Sequence, residues 1–405
     1  MILIKNGNVI DGISDKPKKL DILIDGEKIV DISQKIDLKS AITIDASGFY
    51  VAPSLFDIHT HLRIGNEEAE DFLSFTKAAI KGGVGSVVIM PNTKPPLDRY
   101  DILKNVIDES KKYPLNFLFT STITEKREGK KINDFKSVAD LVVGFSDDGN
   151  WVSDESIMKE ALEKARFYGK KIFSHSQMQG DFKDPKTEYL AVKRDIELAK
   201  NSAIHFQHIT LKKSLELIKE AKKINPYITC ETCPHYFWFT SDDENNDPDF
   251  KMNPPLRSKI DRDFIIEAID NDIIDVIATD HAPHTEKSKS VGFNNAPYGV
   301  IGLETLLSAT ITKLVIEKKM NISKVIKKMS SLCALICQIK DRGSITKNYY
   351  ADIIIFDINK KWKVEKNGFF SKSSNSPFKG KELNGVVLKT IINGKIVYDD
   401  GRFFI

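Results

Sequence analysis

Asp57-Ile58-His59-Thr60-His61-Leu62-Arg63 follows the apolar run Tyr50-Val51-Ala52-Pro53-Ser54-Leu55-Phe56. The run reads as a buried strand. Residues two apart on a strand share a face, so His59 and His61 can offer two imidazoles to one cation. Imidazole suits zinc and its neighbours. Arg63 lies two positions further on, again on that face, and is one of nine arginines among 60 basic residues. A planar guanidinium beside a metal is suited to a two-pronged grip on a carboxylate. Taken alone, His-x-His needs to be no more than two ordinary histidines on a half-buried strand. The rest of the chain decides.

Residues 51–340 alternate between strand-like and helix-like segments. Further strands are expected at Ser86–Met90, Leu115–Thr120, Leu141–Phe145, Lys171–Ser174, Ile204–Gln207, Tyr227–Glu231 and Ile274–Thr279. Helical segments are expected between them at Glu67–Lys81, Asp101–Lys112, Asp154–Tyr168, Glu188–Lys200, Leu211–Lys223 and Arg262–Asn271. With the His-x-His strand this makes the eight-fold alternation of an α/β chain that closes into a (β/α)₈ TIM-type barrel. An open doubly wound sheet is the rival, weakened because no Gly-x-Gly-x-x-Gly follows the first strand. Both ends of the chain have a different texture. Asn6-Gly7, Asp11-Gly12, Asp25-Gly26 and Asn393-Gly394 are hairpin dipeptides between short apolar strands. The expected organisation is a small β-sandwich domain built from residues 1–52 and 341–405, with the barrel at 53–340.

In such a barrel, catalytic groups project from the C-terminal ends of the strands. Here the first strand ends at His59 and His61, the fourth runs into Ser146-Asp147-Asp148-Gly149, and the fifth ends at His175. The sixth ends at His208, and the eighth at Asp280. All eight histidines of the chain lie at or near strand ends of the barrel segment. Histidines serving as core filler would also appear in the helices and terminal segments. His205 is three residues from His208, so it faces the other way and reads as structural. His235 and His281 read as structural or supporting. Four histidines and one or two aspartates exceed the needs of one tetrahedral zinc. They fit two divalent ions about 3.5–4 Å apart sharing a water. A carboxylate is the natural bridge, and the residues leave that role open between Asp147 and Asp148.

The composition, 41% hydrophobic and 29% charged with a net charge of +3, is that of a globular protein. It is too balanced to imply a nucleic-acid or membrane-surface partner. No apolar run reaches the 18 residues of a membrane span, and the first residues lack the pattern of a signal peptide. Four cysteines argue against a disulfide framework and for a reducing cytoplasm. Cys230-x-x-Cys233 has no second pair at zinc-ribbon spacing and is set aside as a metal site.

These motifs, taken in order, resemble the amidohydrolase superfamily and within it the class I dihydroorotases. The resemblance covers essentially the whole chain. It rests on Asp57-x-His-x-His-Leu-Arg63, Met90-Pro91-Asn92-Thr93, Phe145-Ser146-Asp147-Asp148-Gly149 and Asn253-Pro254-Pro255-Leu256-Arg257. Thr279-Asp280-His281-Ala282-Pro283-His284 and Ala296-Pro297-Tyr298-Gly299-x-x-Gly302-Leu303-Glu304-Thr305 complete it. The resemblance implies two divalent metals, with zinc expected, held by His59 and His61 on one side and His175 and His208 on the other. It implies Asp148 as the bridge, and Asp280 as both a metal ligand and the proton shuttle. Arg63, Asn92 and His284 would hold a substrate carboxylate, and Asn253, Tyr298 and Gly299 would contact the ring. The implied reaction is the reversible cyclisation of N-carbamoyl-L-aspartate to L-dihydroorotate in pyrimidine (UMP) synthesis, by a hydroxide that two metals activate. Many other amidohydrolases bridge their metals with a carboxylated lysine, and no lysine stands at that strand end here. A hydantoinase- or dihydropyrimidinase-like cyclic amidohydrolase is therefore the second reading. A non-catalytic partner of aspartate transcarbamoylase is the third. That complex and a homodimer are the macromolecular assemblies the resemblance suggests. The chain departs from the pattern at Arg63-Ile64-Gly65-Asn66, at His175-Ser176-Gln177-Met178, and in a shortened segment before His208. A mobile lid is expected around residues 287–295, where Gly292 sits among polar neighbours.

Overall fold

The computed structural model describes residues 1–405 and contains two sheets. Eight parallel strands form the first, in sequential order: Leu55–Thr60, Val84–Ile89, Asn116–Ser121, Gly144–Phe145, Lys171–Ser174, Ile204–Phe206, Ile228–Thr232 and Val276–Ile277. This is the expected barrel. Its seam joins the first strand to the eighth by few backbone bonds. They are a Thr60–His281 bridge and a bond from the His61 N–H to the His281 carbonyl at 2.9 Å. The Asp57 side chain does the rest, accepting from the Thr279 N–H at 3.1 Å and from its hydroxyl at 2.5 Å. No helix is long and apolar enough to cross a membrane.

The apolar run before His-x-His, read as one strand, is two. Tyr50–Pro53 belongs to the other sheet and Leu55–Thr60 to the barrel. The break falls at Ser54, whose N–H bonds the Asp352 carbonyl while that of Leu55 bonds Gly83. Period alone cannot locate a change of sheet within a run buried throughout. The fourth strand is shorter than expected, because Ala139–Leu141 forms a helical turn. Helix starts follow their caps. The first barrel helix begins at Phe72 rather than at Glu67, because Asp71 accepts from the Ser74 N–H and closes a capping box. Met158, Ala161, Leu162 and Ala165 form the buried stripe of helix Glu155–Phe167, at helical spacing.

The chain ends form a single mixed sheet of nine strands. Where a sandwich was expected, hydrogen bonding is continuous, because Tyr50–Pro53 pairs in parallel with Ile2–Val9 and antiparallel with Ile353–Lys363. Ile4, Val9, Ile22, Val51, Ile353 and Ile391 share its core. Two of the four hairpin dipeptides, Asp25-Gly26 and Asn393-Gly394, meet tip to tip. A Cβ on Gly394, where φ is +71°, would lie 1.9 Å from the Gly26 carbonyl oxygen. Gly394→Ala is therefore expected to lower stability by about 2 kcal/mol or more. Gly368→Ala, in open space, should be nearly neutral. Thermal unfolding of the two variants checks the difference.

Candidate metal centre

Closure of the barrel brings the expected strand-end groups together, all of them buried. Asp148 is central. Its Oδ1 lies 3.2 Å from His59 Nε2, 3.3 Å from His175 Nδ1 and 3.9 Å from His208 Nε2. Its Oδ2 lies 3.4 Å from His61 Nε2. Asp280 Oδ1 is 2.8 Å from His61 Nε2 and 3.5 Å from His59 Nε2, and His175 Nδ1 is 2.9 Å from His208 Nε2. Asp147, the other half of the open choice, faces away. Its carboxylate takes the N–H groups of Ile123 and Thr124 and the Thr124 hydroxyl, tying the third strand's loop to the fourth.

The donor set fits divalent cations. His59 Nε2, Asp148 Oδ1 and His208 Nδ1 are buried without a hydrogen-bond partner, and such atoms are costly unless something binds them. His59, His61 and Asp280 form one group of ligand atoms within reach of a single ion, and His59, Asp148 and His208 form another. Burial opposes the Asp148 charge, yet His59 and His61 hold its carboxyl well below the usual range.

Supporting groups set the rings. His61 Nδ1 gives its proton to the Asn92 carbonyl oxygen at 2.8 Å. His59 Nδ1 gives its proton to Glu231 Oε1 at 2.5 Å. Both rings therefore have Nδ1 engaged and turn Nε2 inward, the nitrogen a metal would take. Glu231 Oε2 accepts from His205 Nε2 at 3.0 Å, and the other His205 nitrogen meets the Thr229 hydroxyl. Sequence reading missed Glu231 and set His205 aside as structural. The structure instead places His205 inside a chain of hydrogen bonds that ends on His59. The signal was present in the alternation Thr229-Cys230-Glu231, an acid at a strand end among apolar neighbours. Burial opposes the Glu231 charge, but His59 and His205 hold its pKa down at about 2. His208 and Asp280 both have left-handed backbone, with φ of +36° and +49°, a cost found where function dictates geometry.

The groups expected at substrate lie at the rim. Arg63 Nε donates to the Pro283 carbonyl at 2.9 Å, and its Nη2 lies 3.4 Å from His284 Nε2. Burial lowers the Arg63 pKa to about 10. Burial and the Arg63 charge lower that of His284 to about 3, so the imidazole is neutral and donates Nε2–H to the Tyr298 carbonyl at 2.7 Å. The Asn253 amide lies 3.3 Å from His175 Nε2, closer to the cation cluster than a purely ring-binding role requires. Gly299 has both backbone polar groups engaged, its N–H by Lys251 and its carbonyl by Lys289 and Asn375. Its φ is +134°, and a Cβ there would come within 2.7 Å of Ala282. The Tyr298 ring is half exposed against Phe182. His281 is held between Glu70 and the Gly302 N–H. In the expected lid, Glu286–Lys289 is a short helix and Lys251 Nζ holds the Asn294 carbonyl at 2.9 Å.

A barrel whose strand ends converge on a buried cluster of four histidines and two aspartates defines a metal-dependent hydrolase, and the chain belongs to the amidohydrolase family, whose profile matches residues 50–397. Relatives matched over nearly their full length include dihydroorotases at 36–39% identity, and the chain is one of this group. It is 39% identical to the dihydroorotase of Clostridium acetobutylicum, over 99% of this chain and 100% of that one. It is 36% identical to that of Carboxydothermus hydrogenoformans, over 98% of each. Among solved structures, the L-hydantoinase (dihydropyrimidinase) of Arthrobacter aurescens superposes with a TM-score of 0.91 at 23% identity, covering 100% of this chain and 97% of that one. The D-hydantoinase of a Thermus species does so with 0.90 at 22%, covering 100% and 96%. These two likenesses speak to the fold alone.

Glu231→Gln leaves one acceptor oxygen for two imidazole N–H donors. It is expected to weaken metal binding by about 10–100-fold, read as metal retained after dialysis against a chelator. Wild-type retention with an intact fold would show that His59 does not depend on Glu231.

Proposed function

We propose that this chain is a dihydroorotase that interconverts N-carbamoyl-L-aspartate and L-dihydroorotate. The observation that carries the reading is a cation-ready cluster set directly beside a guanidinium, an imidazole and an amide. The cluster suits hydrolysis of a cyclic amide. Arg63, His284 and Asn92 suit a ring that bears a free carboxylate, which hydantoins and dihydrouracil lack. The position of Asp148, with no lysine at that strand end, also favours this substrate over the hydantoinase reading.

His59 and His61 would hold one ion and His175 and His208 a second, with Asp148 between them and Asp280 beside the first; zinc is the expected metal for this donor set. When bound, such ions lower the pKa of a shared water and polarise a carbonyl. The rest is work for the chain's own groups. Arg63 grips the substrate carboxylate and fixes the ring over the cluster, which turns the reaction into an oriented intramolecular encounter. In ring opening, the Asp280 carboxylate takes one proton of the attacking water, and the other goes to solvent. Asp280 returns its proton to the amide nitrogen as the C–N bond breaks and the new carboxylate forms. Ring closure runs the same transfers backwards.

Two units support this chemistry, with proposed limits of 53–340 for the barrel and 1–52 with 341–405 for the sheet. Four free, buried thiols support a reducing cytoplasm as the place of work.

The test is ultraviolet absorbance of dihydroorotate with the zinc-loaded chain, followed in both directions. Metal-loaded protein without turnover in either direction would overturn the reading. Asp280→Asn is expected to lower kcat by about 10²–10⁴-fold. Arg63→Met removes a charged hydrogen-bond donor and should raise KM by about 10–100-fold, with a smaller effect on kcat.

A further inference from the structure

Ser371–Asn375 lies between two strands of the terminal sheet, Ile353–Lys363 and Glu382–Ile392, yet its hydrogen bonds go to the barrel mouth. Its first half is anchored on Glu70, a fully buried carboxylate. The Ser371 hydroxyl donates to Glu70 Oε2 at 2.5 Å and the Lys372 N–H to Oε1 at 3.3 Å, while the Ser373 hydroxyl donates to the Ala69 carbonyl at 2.7 Å. Beyond the segment, Phe378 packs edge-on against Trp238 with ring centres 5.6 Å apart.

Asn375, 3% exposed, directs both side-chain donors and its side-chain acceptor at two stretches of rim backbone. Its Oδ1 accepts from the His284 N–H at 3.2 Å. Its Nδ2 donates to the Ala282 carbonyl at 3.1 Å and to the Gly299 carbonyl at 2.9 Å. Its own carbonyl accepts from the Ile301 N–H at 2.9 Å. Their backbones pair through the His281–Val300 bridge and the Ala282 N–H bond to Val300, and two side-chain bonds join them, His284 Nε2–H to the Tyr298 carbonyl and the Gly302 N–H to His281 Nδ1. Asn375 continues the connection where that short ladder stops. One amide meets one N–H and two carbonyls there, a combination no other side chain of that length can match.

We propose that Ser371–Asn375 is a strap from the terminal sheet that sets the rim of the substrate site. In it, Asn375 is the positioning residue that fixes the His284 loop against the Gly299 loop. The consequence for substrate rests on the function proposed above: Asn375 acts through His284 on the group that meets the substrate carboxylate. Truncation leaves the His284 N–H and the Ala282 carbonyl without partners, so the loop carrying His284 loosens while the cation cluster, in which Asp280 is held by His59 and His61, does not.

The test combines two measurements on zinc-loaded protein. In Asn375→Ala, hydrogen exchange at the His284 amide should speed up at least tenfold, with exchange in the terminal sheet and metal content unchanged. This readout needs no turnover, so it stands even if the wild type proves inactive on dihydroorotate, a result that would sink the proposed function alone. With dihydroorotate as substrate, KM should rise about tenfold while kcat falls less than threefold. In a His284→Ala background the Asn375 substitution should add almost nothing. Asn375→Asp keeps the acceptor for the His284 N–H but sets a carboxylate against two carbonyls. It serves as the second variant if the alanine form does not fold, and should show the same KM effect with a smaller exchange effect. Unchanged exchange at His284, or KM effects fully additive with His284→Ala, would overturn the strap.

Discussion

The structure depends on one electrostatic constraint: an ionised carboxylate, Asp148, buried among four imidazoles. Removing such a charge from water costs several kcal/mol, and only opposite charge and good geometry offset it. Protonated rings can supply that charge, His59 above all, whose pKa is raised against its burial by Glu231, Asp148 and Asp280, and cations shared with the rings would take the protons' place. The unpartnered atoms His59 Nε2 and Asp148 Oδ1 are what a cation-binding cluster exposes. This constraint explains why the barrel must close. His61 and Asp280 come from the first and eighth strands, and they meet at 2.8 Å only because Asp57 and Thr279 stitch the seam beside them.

A second layer makes the cluster specific. Asn92 and Glu231 each take the outer proton of a histidine and so decide which nitrogen faces inward. Glu231 also holds the His208 N–H at 3.3 Å, against a backbone conformation that a non-glycine residue avoids. One carboxylate thus orients one candidate ligand through its ring and another through its main chain. His205 completes the arrangement by occupying the second oxygen of Glu231.

The terminal sheet has a part in this as well as in stability. Tyr50–Pro53 joins both chain ends into one sheet and hands the chain directly to the strand that bears His59 and His61. From the other end, Ser371–Asn375 reaches the rim around His284 and Gly299. The two units of the chain are coupled at the mouth of the barrel, next to the groups that face substrate.

Much of this was legible along the chain. The eight-fold alternation, the hairpin-rich ends and the gathering of histidines at strand ends were enough for the barrel, for its partner sheet and for five of the six residues of the cluster. They were legible because hydrophobic period and ligand type are local properties, and a barrel puts all strand ends at one mouth. Other features needed tertiary structure. Spacing could not separate Asp147 from Asp148, since neighbouring residues differ only in which way the turn points them. The change of sheet at Ser54 was hidden because both halves of the run are buried. Glu231, His205 and Asn375 carry no motif, and their partners lie 172, 26 and 91 residues away. The sequence by itself determined which groups could bind cations and on what scaffold. The folded chain decided which atoms of those groups face one another, because hydrogen-bond direction and ring orientation depend on neighbours that only the closed barrel brings within reach.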